Sequence, residues 1–158
     1  MGCGTGIIGR HLAKNGYTNI FGIDGSENVL RKSSLSGNYT DTKCMLLGKG
    51  PENFPEELKE QFDIVVASGI WMHGHVPCSG IYDAHQAVKT GGLFVTAMRQ
   101  MYWVNGDIYG YKDVFDDLVE RGKFEFVKTF TFKRGVPGGD ALYAEQESIL
   151  VVCKKIAH

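Results

Sequence analysis

The first six residues read MGCGTG, a glycine-rich loop with no strand in front of it. Glycines at alternate positions let the backbone turn sharply and approach a ligand closely, because a residue without Cβ adopts positive φ at little cost. Ile7, Ile8 and Leu12 give the next segment one apolar face, which predicts a helix whose free N–H groups point at whatever lies over the glycines. Such loops normally follow a buried strand, so we expect the first central strand to be absent and the chain to be an N-terminally incomplete fragment.

The composition is that of an ordinary globular protein. The chain has 158 residues, 43% hydrophobic and 22% charged, with a net charge of -1, and we expect a single domain over residues 1–158. The basic residues are scattered, which argues against nucleic acid and favours a small molecule or a protein as partner. No apolar run approaches the roughly 20 residues of a membrane helix, and no signal peptide is evident. We therefore expect no membrane association and a cytoplasmic location, with a nuclear one left open; the sequence does not set the oligomeric state.

Strand and helix patterns alternate along most of the chain. Strands are predicted at 19–24, 43–47, 62–68 and 93–98, and the third is the clearest because its apolar run is nearly continuous. Ser26 is positioned to cap the helix after the first of these strands. Ser79 opens another predicted helix, which carries Val88 and ends at Gly91 and Gly92. This alternation indicates a largely parallel sheet flanked by helices.

The tail follows a different pattern. Phe124, Phe126, Phe130 and Phe132 fall at even positions over a stretch that ends near Arg134, which predicts a strand with a period of two. A connection over 135–139 leads without a helix to a second apolar run at 148–153. Two strands joined in this way are most easily antiparallel, so the sheet is expected to finish with a hairpin.

An acid follows the first predicted strand at a diagnostic distance from the glycine loop. Asp24 lies 18 positions after Gly6, close to the spacing of about 20 between a glycine loop and the acid that holds a cofactor ribose. One helix and one strand return the chain to the same sheet edge, which places a carboxylate beside the loop. The alternative is a plain turn with Asp24 as a surface helix cap.

Two cofactor classes fit the loop. Residues 4–9 satisfy the GxGxxG pattern of nicotinamide-binding enzymes, whereas residues 2–6 satisfy the GxGxG pattern of S-adenosylmethionine enzymes. The terminal antiparallel hairpin favours the second class.

Four segments together resemble the class I S-adenosylmethionine-dependent methyltransferases over nearly the whole chain. They are GCGTG, the Gly-Ile-Asp strand, the Phe-Asp-Ile-Val-Val strand and the Lys-Thr-Gly-Gly turn. The resemblance implies an α/β, Rossmann-like, mostly parallel sheet flanked by helices, ending in an antiparallel hairpin and with the first central strand absent. Segments around Gly69, 74–77, 89–99 and 111–122 resemble most closely the methyltransferase-like proteins of the Williams-Beuren region.

The resemblance also implies a set of site residues for S-adenosylmethionine. The loop would lie against the methionine portion, Asp24 would bind the ribose, and the remaining residues would flank the ribose or line the methyl-donor pocket. The implied cofactor-binding residues are Gly2, Cys3, Gly4, Gly6, Asp24, Gly25, Ser26, Ser68 and Gly69. Within the loop, Cys3 is best explained as a spacer.

The chain departs from the family pattern in three places. No acid precedes the first glycine, and Gly48-Lys49-Gly50 stands where many members carry an acid that contacts adenine. The absent strand would leave those at 19–24 and 62–68 flanking a gap, with unpaired backbone groups that cost about 1–3 kcal/mol each if buried.

The loop after the third predicted strand holds the candidate general bases. His73 and His75 are the nearest residues suited to titrate near neutral pH. With Cys78 they also suggest a zinc site, but a fourth ligand is lacking and no metal is predicted. The four cysteines are widely spaced and are expected to be reduced thiols. Four aromatic residues, Tyr102, Trp103, Tyr109 and Tyr111, wall an acceptor site or pack as a cover on the sheet.

The sequence thus favours methyl transfer from S-adenosylmethionine to an unidentified small-molecule or protein acceptor, with His73 and His75 as candidate catalytic residues. Two alternatives stay open. One is a non-catalytic remnant or binding module of the same fold, and the other is an NAD(P)-dependent oxidoreductase.

Overall fold

A computed structural model of the chain describes residues 1–135 and 145–156. It consists of two compact units, Met1–Leu47 and Gly48–His158. That the whole chain forms one domain stays a prediction. Among the described residues, no helix combines the length and the apolar character needed to cross a membrane.

The first unit contains two helices and two strands in alternation. Its elements are α1 (Ile7–Lys14), β1 (Phe21–Asp24), α2 (Glu27–Ser34) and β2 (Asp41–Cys44). Strands β1 and β2 form a parallel two-stranded sheet. Strand β2 begins and ends earlier than the predicted 43–47, because the register with β1 pairs Phe21 with Asp41 and Asp24 with Cys44.

The described part of the second unit contains four strands and two α-helices. Its elements are β3 (Phe62–Ser68), α3 (Gly80–Ala87), β4 (Val88–Arg99), α4 (Tyr111–Glu120), β5 (Phe124–Arg134) and β6 (Gln146–Lys155), with short 3-10 helices at Pro51–Asn53, Glu56–Leu58 and Gln100–Tyr102. The strand order is β3-β4-β6-β5. Strands β3 and β4 are parallel, and β6 is antiparallel to both β4 and β5.

Three of the four strands in this sheet therefore run in one direction, and only β6 opposes them. This confirms the predicted α/β class, with parallel strands first and an antiparallel hairpin of β5 and β6 at the end. The predicted connection at 135–139 lies outside the described residues apart from Gly135. Strand β6 is inserted between β4 and β5, so the hairpin pairs with the sheet through its second strand.

The boundary between α3 and β4 differs from the prediction. The helix ends at Ala87, and Val88 is already extended, with φ -75° and ψ 138°. The buried Nζ of Lys155 donates to the carbonyl oxygens of His85 and Val88 at 2.8 and 3.0 Å, which fixes the chain where it leaves the helix. Gly92 does not stop a helix; a Cβ there would lie 2.7 Å from the carbonyl oxygen of Asp63 on the neighbouring strand.

A β-bulge divides the aromatic stripe of β5. The register shifts between Phe126 and Lys128, so Phe126 pairs with Cys153 while Lys128 pairs with Val152. Directly paired residues share a sheet face, and successive residues alternate between faces. Phe124 and Phe126 therefore lie on one face, and Phe130 and Phe132 lie on the other. The strand predicted to end near Arg134 is confirmed, but its period of two is interrupted because the bulge adds one residue.

Helices α3 and α4 pack on the face that carries Phe94 and Phe124. The ring of Phe94 stacks on Phe115 of α4 and on Phe124, with centroids 5.9 and 6.1 Å apart. His85 of α3 meets Phe124 edge to face. Phe94, Phe115 and Phe124 are all buried, so this face forms the core of the unit. The carboxyl ends of β3, β4 and β5 meet at one edge of the sheet.

Candidate functional site

In the first unit, the carboxylate of Asp24 lies directly beside the glycine loop. Its Oδ2 accepts a hydrogen bond of 2.9 Å from the backbone N–H of Gly4, and its Oδ1 accepts one of 3.1 Å from the N–H of Ser26. Ser26 occupies the N-cap position of α2, but its side chain makes no capping hydrogen bond. The side-chain cap predicted for Ser26 is therefore wrong. Its backbone N–H donates to the Asp24 carboxylate instead.

The glycine loop is tied to the end of β1 and leaves free space beside the backbone of Gly4. Gly2, Gly4 and Gly6 have φ values of 61°, 53° and 90°, a region that residues with a Cβ rarely adopt. The N–H of Cys3 donates to the carbonyl oxygen of Ile23 at 2.9 Å, which ties the loop to the strand. A Cβ placed on Gly4 would meet nothing within 4 Å. A ligand can thus approach the backbone of Gly4 closely.

Tyr39, which no sequence pattern singles out, fills the space behind the loop. A Cβ on Gly9 would overlap its phenol ring, and a Cβ on Gly6 or Gly22 would lie 3.3 or 3.0 Å from ring carbons. Gly9 also makes a backbone hydrogen bond to the phenol, whose pKa is raised by burial. Three glycines, at the N-cap of α1, within α1 and in β1, thus make room for one aromatic ring. The ring packs against the loop and the helix that follows it.

Cys3 has the properties expected of a spacer. Burial raises the pKa of its thiol, and the charge of Asp24 adds to the shift. Its Sγ lies 3.9 Å from the Oγ of Ser33 and would be 3.2 Å from a Cβ on Gly22. The thiol is therefore protonated near neutral pH and packed against the strand. All four cysteines of the chain are free.

Beyond Asp24, the chain presents an apolar side chain next to Gly25. A Cβ on Gly25 would lie 2.8 Å from Cδ2 of Leu46, and Leu46 is 60% exposed. The N–H of Met45 donates to the carbonyl oxygen of Asp24 at 3.0 Å, which brings the end of β2 to the acid. Leu46 is a further candidate for ligand contact. Its side chain has no polar or reactive group, which explains why no sequence motif marks it.

In the second unit, both backbone polar groups of Gly48 are hydrogen-bonded. Its N–H donates to Oδ2 of Asp83 at 2.6 Å, and its carbonyl oxygen accepts from the hydroxyl of Ser79 at 2.8 Å. Asp83 is 2% exposed, and burial raises the pKa of its carboxyl group. A Cβ on Gly48, which has φ of 76°, would lie 2.5 Å from Pro77. This segment is thus fixed through its backbone.

Ser68 and Gly69 lie at the carboxyl end of β3. Ser68 pairs with Ala97 of β4, and the N–H of Gly69 reaches the carbonyl oxygen of Ala97 at 3.4 Å. Gly69 has φ of 74°, so the chain turns sharply as it leaves the sheet. These two predicted residues belong to the second unit, whereas the predicted site residues from Gly2 to Ser26 belong to the first.

The loop after β3 is anchored at Trp71, and its histidines are exposed. Trp71 is 1% exposed, and its indole N–H donates to the hydroxyl of Thr96. His73 and His75 are both exposed, and the ring of His73 lies 5.9 Å from that of Tyr109. Within residues 1–135 and 145–156, no group of three His, Cys, Asp or Glu side chains is arranged to hold a metal ion.

The four aromatic residues after β4 have divided roles. Tyr102 and Tyr111 are buried, and the hydroxyl of Tyr111 donates to the carbonyl oxygen of Val76 at 2.8 Å. Trp103 packs against Phe115 of α4. These three form a cover on the sheet. Tyr109 is only half-buried and lies beside His73, so it remains available to a ligand.

Comparison with known proteins gives consistent results. A family profile described as a methyltransferase domain matches residues 1–94. The chain is 31% identical over 121 residues to methyltransferase-like protein 27 from Homo sapiens, covering 77% of this chain and 46% of that protein. It is 36% identical over 103 residues to the ubiquinone biosynthesis O-methyltransferase of Hydrogenovibrio crunogenus, covering 65% of this chain and 42% of that protein. The chain thus spans about half the length of these relatives.

Solved structures share the fold. A SAM-dependent methyltransferase from Methanosarcina mazei superposes with a TM-score of 0.72 at 14% identity, covering 99% of this chain and 91% of that one. An S-adenosylmethionine-dependent methyltransferase from Mesorhizobium loti superposes with a TM-score of 0.65 at 17% identity, covering 98% and 88%. The resemblance predicted from the glycine loop and the strand motifs is confirmed.

Proposed function

We propose, from the premise that this chain belongs to the class I S-adenosylmethionine-dependent methyltransferase family, that it binds S-adenosylmethionine and directs its methyl group to a small-molecule or protein acceptor. The observation that carries the proposal is the hydrogen bond between Gly4 and Asp24, because it joins the two elements expected to hold the cofactor. The cofactor supplies an activated methyl group on a sulfonium centre. The protein has to bind it, orient it and admit the acceptor.

The residues of the first unit fit this cofactor. Each carboxylate oxygen of Asp24 accepts one backbone hydrogen bond, and a carboxylate oxygen has a second lone pair to offer. The two oxygens can therefore accept the two hydroxyl protons of a ribose without releasing the loop. The open space over Gly4 suits the methionine portion, with Gly2, Cys3 and Gly6 completing the loop. Gly25 and Ser26 flank the ribose, and the exposed Leu46 offers an apolar contact to the adenine.

Two further residues that we propose for cofactor binding belong to the second unit. Ser68 and Gly69, at the carboxyl end of β3, line the methyl-donor pocket. Orientation of two reactants can contribute about 7–11 kcal/mol in favourable cases, so alignment is the main contribution of the protein. A general base is needed only where the acceptor must lose a proton. His73 and His75 are the candidates, and the half-buried Tyr109 lies beside His73 to contact the acceptor.

Isothermal titration calorimetry with S-adenosylmethionine and with S-adenosylhomocysteine tests cofactor binding. Micromolar or tighter binding of both would support the proposal, and Asp24→Ala should weaken it at least tenfold while the protein stays folded by circular dichroism. Asp41→Ala is the matched control, because Asp41 is exposed on the adjoining strand. No heat from a folded sample would support a non-catalytic remnant. Stabilisation by NAD(P) alone would instead support an oxidoreductase.

The role of the histidines needs a separate readout. Once release of S-adenosylhomocysteine identifies an acceptor, His73→Gln and His75→Gln should each be assayed for turnover and for donor binding. If one of these histidines is the general base, its variant should have a lower turnover and an unchanged affinity for the methyl donor. Normal turnover in both variants would remove these residues from the mechanism.

A further inference from the structure

Two strands on either side of β6 end in an arginine at the same edge of the second unit's sheet. Arg99 is the last residue of β4 and Arg134 is the last residue of β5. Both strands run in the same direction as β3, so both arginines lie at the edge where β3 ends in Ser68. In open α/β sheets, ligands bind outside the carboxyl ends of the strands.

The two arginines also share one face of the sheet. Arg99 pairs with Ser148 of β6, and Arg134 pairs with Gln146 of the same strand. Ser148 and Gln146 are two residues apart, so their side chains and those of their partners lie on one face. This is the face opposite to Phe94, Phe115 and α4. Arg134 lies on this face because of the bulge in β5.

Two buried polar atoms at this place have no hydrogen-bond partner within residues 1–135 and 145–156. They are the Oγ of Ser148, which is 0% exposed, and the Nε of Arg99. Among the residues that the structure describes, neither guanidinium forms an ion pair. Buried polar groups are normally satisfied, because an orphaned donor or acceptor forfeits the hydrogen bonds that it would make to water. The cluster therefore has unused capacity for a ligand.

The cluster reaches Gly69, which follows β3 in the same unit. A Cβ placed on Gly69 would lie 3.6 Å from Nη1 of Arg134. The guanidinium of Arg134 thus extends from β5 to the turn that follows β3. Phe132 pairs with Ser148 and is half-buried on the same face, which adds an apolar surface next to the charges.

The geometry points to an oxyanion site for the methyl acceptor, in which Arg99 and Arg134 bind a carboxylate or phosphate group of a small molecule with an apolar body. Guanidinium groups bind planar or tetrahedral oxyanions through paired N–H donors. Ser148 contributes its hydroxyl, and Phe132 contacts the apolar body. The assignment to an acceptor rests on the proposed function, whereas the affinity for an oxyanion does not.

The test uses the full chain and three probes that share a phenyl ring. Benzoate and phenyl phosphate carry the oxyanion, and benzamide is the neutral analogue. Each is titrated into the protein with and without saturating S-adenosylhomocysteine, followed by NMR chemical-shift changes or calorimetry. We expect both anions to bind with S-adenosylhomocysteine present and benzamide to bind at least tenfold more weakly. Arg99→Gln and Arg134→Gln should each weaken the anions by about tenfold or more, as loss of a charged hydrogen bond does.

Lys133→Gln is the matched control. Lys133 precedes Arg134 on β5, points to the other face and pairs with Glu145, so its loss removes the same charge but should leave anion binding unchanged. Ser148→Ala separates a ligand role from a structural one. Without a ligand it should leave the melting temperature equal or higher, because an orphaned hydroxyl is removed, and it should still weaken anion binding severalfold.

Three results would overturn the inference. They are equal binding of benzamide and benzoate, no anion binding by a folded protein, and anion affinities that the arginine substitutions do not alter. If the arginine variants lose affinity for S-adenosylhomocysteine instead, the site holds the carboxylate of the donor and the acceptor assignment is wrong. If S-adenosylhomocysteine does not bind while the anions bind through the arginines, the proposed function fails and the oxyanion site stands.

Discussion

The carboxylate of Asp24 and the backbone N–H of Gly4 are 2.9 Å apart, although twenty residues separate them in the sequence. This hydrogen bond fixes the glycine loop on the strand whose last residue is Asp24. The same carboxylate holds the first turn of α2 through Ser26. One side chain therefore organises three backbone segments.

Replacing Asp24 by Asn should loosen the loop even without a ligand. An amide nitrogen cannot accept the N–H of Gly4 or Ser26, so at least one of the two bonds is lost, and we expect the free energy of unfolding to fall by about 1–3 kcal/mol. Urea denaturation followed by circular dichroism measures the change. Asp41→Asn serves as the control. Equal stabilities for the two variants would mean that the bonds to Asp24 do not hold the loop.

The contact between Gly9 and Tyr39 predicts a reversal of sign in a double-mutant cycle. Gly9→Ala should destabilise the wild-type protein by about 1–3 kcal/mol, because the new methyl overlaps the phenol ring. In a Tyr39→Ala background the same change should stabilise by up to about 1 kcal/mol, since Ala is the better helix former. Chemical denaturation of the four proteins tests this. A destabilisation of equal size in both backgrounds would show that the ring is not the cause.

Asp83 predicts a pH dependence of stability. Burial raises the pKa of Asp83 in the folded state, so the folded protein holds this proton more tightly than the unfolded chain does. Its contribution to stability therefore grows as the pH falls through the folded pKa, and at neutral pH the buried charge is a cost. Asp83→Asn keeps an acceptor for Gly48 and should stabilise at pH 7 by roughly 1 kcal/mol, the scale of burying a polar group.

The advantage of Asp83→Asn should shrink in acid, which denaturation at pH 7, 5 and 4 will reveal. Asp63→Asn is the contrasting variant, because the hydrogen bond from Lys89 lowers the pKa of the fully exposed Asp63. That variant should gain nothing at pH 7. If Asp83→Asn were less stable than the wild type at neutral pH, the buried carboxylate would be stabilising rather than costly, contrary to this expectation.

The buried phenol of Tyr111 predicts that the protein loses stability at alkaline pH. Burial, with nearby ionisable groups, raises the pKa of Tyr111 to about 12. A phenol in the unfolded chain ionises near pH 10, so stability should be lost as the pH rises from about 10 through 12. Tyr111→Phe should cost about 1 kcal/mol at pH 7 through the lost bond to Val76 and should flatten the alkaline slope. Tyr17→Phe, at an exposed position, should do neither, and an unchanged slope in Tyr111→Phe would refute the assignment.

The features that the sequence predicts correctly are local in the chain. The placement of Asp24 beside the glycines follows from the length of one helix and one strand, so the spacing alone indicates it. Strand β3 has its predicted bounds because its apolar run is nearly continuous. The hairpin is predictable because no helical pattern separates its strands.

The features that the sequence does not predict depend on pairing between distant segments. Tyr39 matters only because α1 and β1 fold against the same ring, and tyrosine alone carries no such signal. The start of β4 at Val88 is set by Lys155, which lies 67 residues away along the chain. Arg99 and Arg134 converge because β6 enters between β4 and β5, and no periodicity in the sequence encodes that order.

The extra residue at Val127 changes which face of the sheet the even-numbered residues of β5 occupy. Substitutions at Phe124 and Phe126 act on the helical layer, where these rings meet Phe94 and Phe115. Substitutions at Phe132 and Arg134 act on the opposite surface. A lineage can therefore alter the even-numbered positions after the bulge for a new chemical task while those before it continue to secure the fold.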